Sequence, residues 1–251
     1  KGYTNLAARI DQPNDREPLS LRPDPSPSAE QRKVALSITD FDQLKSDPFS
    51  FYAKRILRLK ALQAVDADPS YAWRGTLVHG ILEKWFIHDK CAPDRLLARA
   101  EDLLTNNMLD PMLRALWQPR IAEGLRWIAQ ETQRMLGDEG RSLLVAEQDG
   151  SIELLGLTVR GRADRIDRLA DDSLVIIDYK TGMPPKTRQI NAGFALQLGL
   201  IGLMAENGVI EGVSGTSRRF EYWSLAKNKE RGFGYIAVPT STKAGDNKQN
   251  A

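Results

Sequence analysis

The chain has 251 residues, 41% hydrophobic and 27% charged, with a formal net charge of +2. That composition fits a globular domain with a sizeable core, and a single cysteine, Cys91, excludes an internal disulfide and a cysteine-only metal site. No apolar run reaches transmembrane length and Lys1-Gly2-Tyr3-Thr4-Asn5 is not a signal peptide, so the default expectation is a cytoplasmic protein whose affinity for nucleic acid, if any, rests on local charge clusters.

Residues 1–34 are polar and carry Pro13, Pro18, Pro23, Pro25 and Pro27, which predicts an extended linker from an upstream region. A folded domain is expected over 35–239 and a patternless polar tail over 240–251. Ser37 or Thr39 caps a helix running from Asp40 towards Lys45; Asp47-Pro48 breaks it, and helix resumes from Phe49 to Leu59. Residues 60–72 read as a loop. Trp73 to Ile87 reads as an amphipathic helix with an apolar stripe of Leu77, Val78, Ile81, Leu82, Trp85 and Phe86. His79 lies just off that stripe, where a lone histidine ordinarily borders the core, and His88 reads as surface. Further helices are expected over 94–107 and 111–137, with Pro93 and Pro111 at their starts and a break or kink at Pro119.

From Ser142 the pattern changes to strands, first Ser142 to Glu147, then Ser151 to Leu155. Two apolar-rich runs follow, Gly161 to Asp167 and Leu174 to Gly182, joined by the polar turn Asp171-Asp172-Ser173, the signature of a β-hairpin. The aliphatic run Leu174-Val175-Ile176-Ile177 marks a central strand buried on both faces. A turn centred on 170–172 sets Asp164 opposite Asp178, on the same face as Lys180. Opposed carboxylates destabilise a sheet pair, so they need a reason to be there; a divalent cation, which takes oxygen ligands, is the usual one. A lysine two residues on can orient a water or stabilise charge developing on a phosphate. Asp-x-Lys alone is a common tripeptide; the hairpin and Asp164 give it weight. Arg160, Arg162 and Arg168 would share the Asp164 face, either to contact phosphate or to neutralise nearby acids. Lys186 and Arg188 follow in a loop suited to a phosphate backbone. A long apolar helix is expected from Thr187 to Glu206, containing Gln197, and then strands over 219–225 and 234–238 joined by a basic turn. The sum is an α/β domain: a mixed sheet of about five strands flanked by helices, with a helical N-terminal half.

Gly161-Arg162-Ala163-Asp164-Arg165-Ile166-Asp167 followed by Asp178-Tyr179-Lys180-Thr181-Gly182 resembles the core of the PD-(D/E)xK nuclease superfamily. More closely, it resembles the RecB-type nuclease domain at the carboxyl end of AddB, a subunit of AddAB double-strand-break repair helicase–nucleases. The resemblance covers the chain from about Leu36 to Pro239. It implies a restriction-endonuclease-like core and Mg²⁺- or Mn²⁺-dependent hydrolysis of DNA, trimming single strands delivered by a helicase. Gly75-Thr76-Leu77-Val78-His79 is similar to the family's Gly-x-x-x-His motif. The implied metal ligands are therefore His79, Asp164, Asp178 and the carbonyl of Tyr179, with Lys180 catalytic. Glu147 matches a glutamate that the family often places one strand earlier, as an outer ligand or to position a metal water; Glu153 competes for that role. Gln197 matches the family's Gln-x-x-x-Tyr motif, but Ile201 stands where the tyrosine would be. Arg162, Lys186 and Arg188 are the implied DNA contacts. The cysteines that hold an iron–sulfur cluster in some relatives are missing here, so no cluster is expected. The implied partners are DNA and an AddA-type helicase–nuclease subunit, with no membrane. The alternative is a nuclease-like DNA-binding or assembly module; the presence of Asp164, Asp178 and Lys180 weighs against it, and Ile201 slightly for it.

Overall fold

The computed structural model describes residues 2–10, 24, 26–60, 62, 71–107, 111–228 and 232–239. The chain forms two units, Lys1–Arg32 and Lys33–Ala251. The first contains a helix, α1 (Gly2–Ile10), which corrects the expectation of extended chain from residue 1. The prolines begin only at Pro13, so nothing in the preceding stretch interrupts helical hydrogen bonding. The expected tail, and most of the expected loop over 60–72, lie outside the described residues.

The second unit opens with a two-residue strand β1 (Leu36–Ser37) and α2 (Ile38–Ser46). Ser37 is the cap residue, and its N–H donates to the Asp40 carboxylate at 2.7 Å, one arm of a capping box. Asp47 caps α3 (Pro48–Phe51), which passes into a π-helical turn over Tyr52–Ile56, so regular helix stops short of Leu59. Three helices follow: α4 (Tyr71–Asp89), α5 (Pro93–Asn107) and α6 (Pro111–Asp138). Of the break or kink expected at Pro119, no break occurs: α6 continues through it. Pro119 is exposed, while Ile121, Leu125 and Ile128 just beyond it are buried in the core, and that packing holds the helix together.

β2 (Ser142–Leu154) and β3 (Leu157–Arg168) form one long hairpin rather than the two short strands expected before Gly161. Its tight turn has Leu155 at φ +52° and Gly156 at φ +77°, as a two-residue turn matched to strand twist requires. Then come β4 (Leu174–Lys180), α7 (Thr187–Asn191), α8 (Gln197–Glu206), β5 (Ser217–Asn228) and β6 (Gly232–Ala237). The single helix expected over 187–206 is two. Gly193, at φ +70°, separates them, and α2 holds the joint: Asp42 accepts the Leu196 N–H at 2.8 Å and Lys45 donates to the Ala192 carbonyl.

The six strands make one mixed sheet in the order β1-β3-β4-β5-β6, with β2 on β3; β4 and β5 run parallel, as do β1 and β3. The helices cover it on two sides. Val175, Ile177 and Tyr179 of β4 pack with α4, α5 and α6, while Leu174 and Ile176 pack with Leu198, Ile201 and Met204 of α8. The central strand is thus buried on both faces, as its aliphatic run required. β2 lies along one edge of β3, so β1 and β4 share the other, at Val159–Arg160 and Arg165–Arg168 respectively. Asp164 sits in the gap between them. No described helix is long and apolar enough to cross a membrane.

Candidate active site

Arg165 pairs with Ile177 and Arg168 with Leu174, which places Asp164 opposite Asp178 where the hairpin strands part. Ladder pairing ends there, and the Asp164 side chain replaces it: Oδ2 accepts the Tyr179 N–H at 2.8 Å. Both carboxyls are buried, Asp164 at 8% exposure and Asp178 at 3%. Lys180 Nζ stands 2.8 Å from Asp178 Oδ2, yet without hydrogen-bond geometry, so that buried oxygen lacks a hydrogen-bond donor. The Lys180 ammonium donates instead to Gln197 Oε1 at 3.0 Å. Gln197 is the first residue of α8 rather than an interior one, and the joint at Gly193 is what aims it at the end of β4.

His79 reaches the same place from the middle of α4. Its Nδ1 lies 2.8 Å from Glu147 Oε1 and 3.6 Å from Asp164 Oδ1, and its Nε2 lies 3.2 Å from the Tyr179 carbonyl oxygen. Glu147 has φ +51° in mid-strand, a left-handed conformation that a side-chain-bearing residue seldom adopts in a strand. Arg162 holds its other oxygen, Oε2, at 2.9 Å, and also pairs with Glu83 of α4 at 2.9 Å. Glu153, the competing glutamate, is exposed and accepts from Thr158, away from the cluster. Lys186 and Arg188 are exposed on the segment beyond β4.

Electrostatics follow from this crowding. Burial raises the Asp164 pKa, and the charge on Asp178 adds to the effect, to about 7. Asp178 is raised as well, by burial first, against the opposing pull of Lys180. Burial alone would lower the His79 pKa; the hydrogen bond to the Glu147 carboxylate and the charges of Asp164 and Glu147 outweigh it and raise it to about 9. Each ring nitrogen of His79 faces an acceptor, Nδ1 the Glu147 carboxylate and Nε2 the Tyr179 carbonyl, and both contacts favour its protonated form.

Three carboxylates, an imidazole and a main-chain carbonyl are a hard-cation donor set. His79, Glu147 and Asp164 each present a ligand atom within 4.8 Å of the others, with Asp178 beside them bearing its unmatched oxygen. The residues fit a divalent cation. Glu147 lies against Nδ1, which leaves Nε2 to face the Tyr179 carbonyl. That is the arrangement by which a carboxylate orients a ligating histidine.

A pH dependence follows. Both Asp164 and His79 have folded-state pKa values above their ordinary ones of 3.8 and 6.5. Each keeps its proton longer in the folded protein than in the unfolded chain, so its contribution is full at low pH and lost as pH rises. The Asp164 part disappears between about pH 4 and 7, and the His79 part between about 6.5 and 9. In EDTA the melting temperature should fall steadily from pH 6 to pH 9, and saturating Mn²⁺ should remove most of that fall. A flat or rising profile in EDTA would contradict the assignment.

The sequence profile of the PD-(D/E)XK nuclease superfamily matches residues 35–250. An uncharacterized protein of Rickettsia bellii is 26% identical over 182 residues, 69% of this chain and 22% of its own length. Uncharacterized protein RC0550 of Rickettsia conorii is 28% identical over 192 residues, 70% of this chain and 22% of its own. The chain thus spans about a fifth of these relatives. Among solved structures, the crystal structure of SSO0001 aligns at 15% identity with a TM-score of 0.26, over 67% of this chain and 79% of that one.

Proposed function

The chain belongs to the PD-(D/E)XK nuclease superfamily, and on that footing we propose that it is a Mg²⁺- or Mn²⁺-dependent deoxyribonuclease domain. The observation that carries this reading is the buried Asp164–Asp178 pair with Lys180 Nζ 2.8 Å from an otherwise unmatched oxygen. Such a pair weakens the fold, and a cation would turn it into a ligand set.

His79, Asp164, Asp178 and the Tyr179 carbonyl would hold the ion, and Glu147 orients His79 through Nδ1. When bound, a divalent cation supplies Lewis-acid polarisation of a phosphate oxygen and offsets the carboxylate charge. Lys180 orients the attacking water or offers its ammonium to charge developing on the phosphate, and Gln197 fixes where that ammonium points. Lys186 and Arg188, exposed on the segment beyond β4, would receive neighbouring phosphates. Arg162, committed to Glu83 and Glu147, contacts DNA only by giving up Glu83.

The finer reading is a RecB-type exonuclease at the carboxyl end of an AddB-like subunit in a bacterial cytoplasm. There it would trim a single strand delivered by an AddA-type helicase partner during double-strand-break repair and recombination. Its support is the motif likeness across Gly161 to Gly182 and the greater length of the Rickettsia relatives.

The test is cleavage of end-labelled single-stranded and duplex DNA with Mg²⁺, Mn²⁺, Ca²⁺ or EDTA. Cleavage in Mg²⁺ or Mn²⁺, absent in EDTA, is expected. No cleavage by folded protein with any metal, alone or with its helicase partner, would sink the nuclease reading in favour of a binding module.

A further inference from the structure

The Lys180 side chain is 30% exposed. Among the described residues its ammonium has one hydrogen-bond partner, Gln197 Oε1 at 3.0 Å, while Asp178 Oδ2 lies 2.8 Å away without hydrogen-bond geometry. A lysine stem has four carbons and many rotamers, so these two contacts alone hold the ammonium loosely. A third contact comes from β5: the ring centre of Tyr222 is 5.8 Å from Lys180 Nζ. Tyr222 is in register with Asp178 in the parallel pair of β4 and β5. Its side chain therefore leaves the sheet on the face that carries Asp178 and, two residues on, Lys180. Tyr222 is 1% exposed and packs in the core cluster with Leu198 and Ile201 of α8, the helix whose first residue is Gln197. Among the described residues it is the one aromatic side chain buried in that cluster; the other buried members are aliphatic residues and Met204. Ser224, the register partner of Lys180, donates to the Gly182 carbonyl at 2.9 Å and ties down the backbone just beyond the lysine. What remains to be fixed is the lysine side chain itself.

We infer that Tyr222 is a positioning residue for Lys180: its ring holds the ammonium at the end of β4, between Asp178 and Gln197. The inference rests on the nuclease reading above for what the ammonium does there. An ammonium is drawn to an aromatic ring within about 6 Å of its centre. A neutral ring attracts it without offsetting its charge, as a carboxylate in the same place would. Gln197 takes one of the three N–H donors, so the others are left for a water or a phosphate oxygen. The ring is locked by core packing, so it limits where the lysine stem can lie at no cost in mobility of its own. Three neighbours then fix one cation: Asp178 by charge, Gln197 by a hydrogen bond and Tyr222 by its ring.

The test compares Tyr222→Leu and Tyr222→Phe with the parent protein. In Mn²⁺, Tyr222→Leu should lower kcat for cleavage of a labelled single strand about tenfold or more and leave KM within about twofold, because a misplaced ammonium weakens the transition state and not the binding of the strand. Its affinity for Mn²⁺, measured by calorimetry, should stay within about twofold of the parent's, since the metal ligands are untouched. Tyr222→Phe keeps the ring and should hold kcat within about threefold of the parent's. A second measurement needs no cleavage: denaturant unfolding in EDTA of Tyr222→Leu, Lys180→Met and the double variant. The two substitutions should be non-additive by at least about threefold in the unfolding constant. If Tyr222→Leu does not fold, Tyr222→Met, whose flexible side chain fills irregular gaps, takes its place in both measurements. Parental kcat in the aliphatic variant would overturn the proposal. So would equal losses in the leucine and phenylalanine variants, which would assign the effect to the hydroxyl, or a loss of Mn²⁺ affinity that matches the loss of kcat. Additive effects on unfolding would overturn it too. A parent protein that cleaves with no metal would sink the nuclease reading, and the unfolding cycle in EDTA would still decide whether Tyr222 holds Lys180.

Discussion

Asp178→Asn should cut DNA cleavage by about 10³-fold while making the metal-free protein more stable. The two effects share one cause. The folded protein raises the Asp178 pKa, so it disfavours the ionised carboxylate relative to the unfolded chain. Asparagine resembles the protonated form in shape and charge. At pH 8 the substitution removes the repulsion from Asp164 and the burial of a charge, and it gives up the pull of Lys180, which is the smaller quantity because the net shift is upward. The melting temperature in EDTA should therefore rise by a few degrees. Saturating Mn²⁺ should stabilise the variant much less than the parent. Cleavage and melting curves on the same preparations check both halves. A variant that loses activity and stability together would mean that Asp178 is mainly structural.

Asp167→Ala should be the most damaging single change to the fold. Arg165 is 1% exposed, and Asp167 takes its Nε and Nη2 at 2.7 Å each. Its Nη1 donates to Thr132 at 3.0 Å and to the Tyr179 hydroxyl at 3.4 Å. A second buried pair lies alongside: Arg141 donates to both oxygens of Glu221, and Trp223 Nε1 donates to Glu221 Oε2 at 2.8 Å. Arg141 also lies 4.0 Å from Asp167. Removing Asp167 strands a buried guanidinium, at a cost of about 3–5 kcal/mol. For a domain of this size that lowers the melting temperature by about 6–20 °C. The double variant Arg165→Met/Asp167→Leu should recover most of the loss, because a well-packed apolar pair is often as stable as a buried ion pair. Thermal and denaturant unfolding check this, and a single-variant loss below about 1 kcal/mol would contradict it. The network also bears on activity: it anchors the Tyr179 ring, and the Tyr179 backbone supplies both the N–H to Asp164 and the carbonyl facing His79.

The hairpin was legible because its turn chemistry and its aliphatic run agree on one register, so the facing of Asp164 and Asp178 followed. That His79 and Glu147 would meet beside Asp164 could be expected only through motif likeness. Nothing local in the sequence distinguishes Glu147 from Glu153; a left-handed residue in mid-strand separates them, and that is set by the packing around it. The buried charges were not legible at all. Arg165 and Asp167 alternate along β3 as a solvated strand face would, and only α6 laid across that face makes them interior. Gly193 sits inside an apolar pattern that continues on both sides, so periodicity alone could not show that α7 and α8 are separate.

On the reading proposed above, His79, Asp164 and Asp178 hold a divalent cation beside Lys180. Calorimetric titration of Mn²⁺ into the parent protein and into Asp164→Asn, at pH 6 and pH 8, tests it most directly. Binding to the parent should be saturable and tighter at pH 8, because the ion displaces protons from His79 and Asp164. Binding to the variant should be at least about tenfold weaker. Equal affinities in parent and variant, or binding that tightens as pH falls, would contradict it.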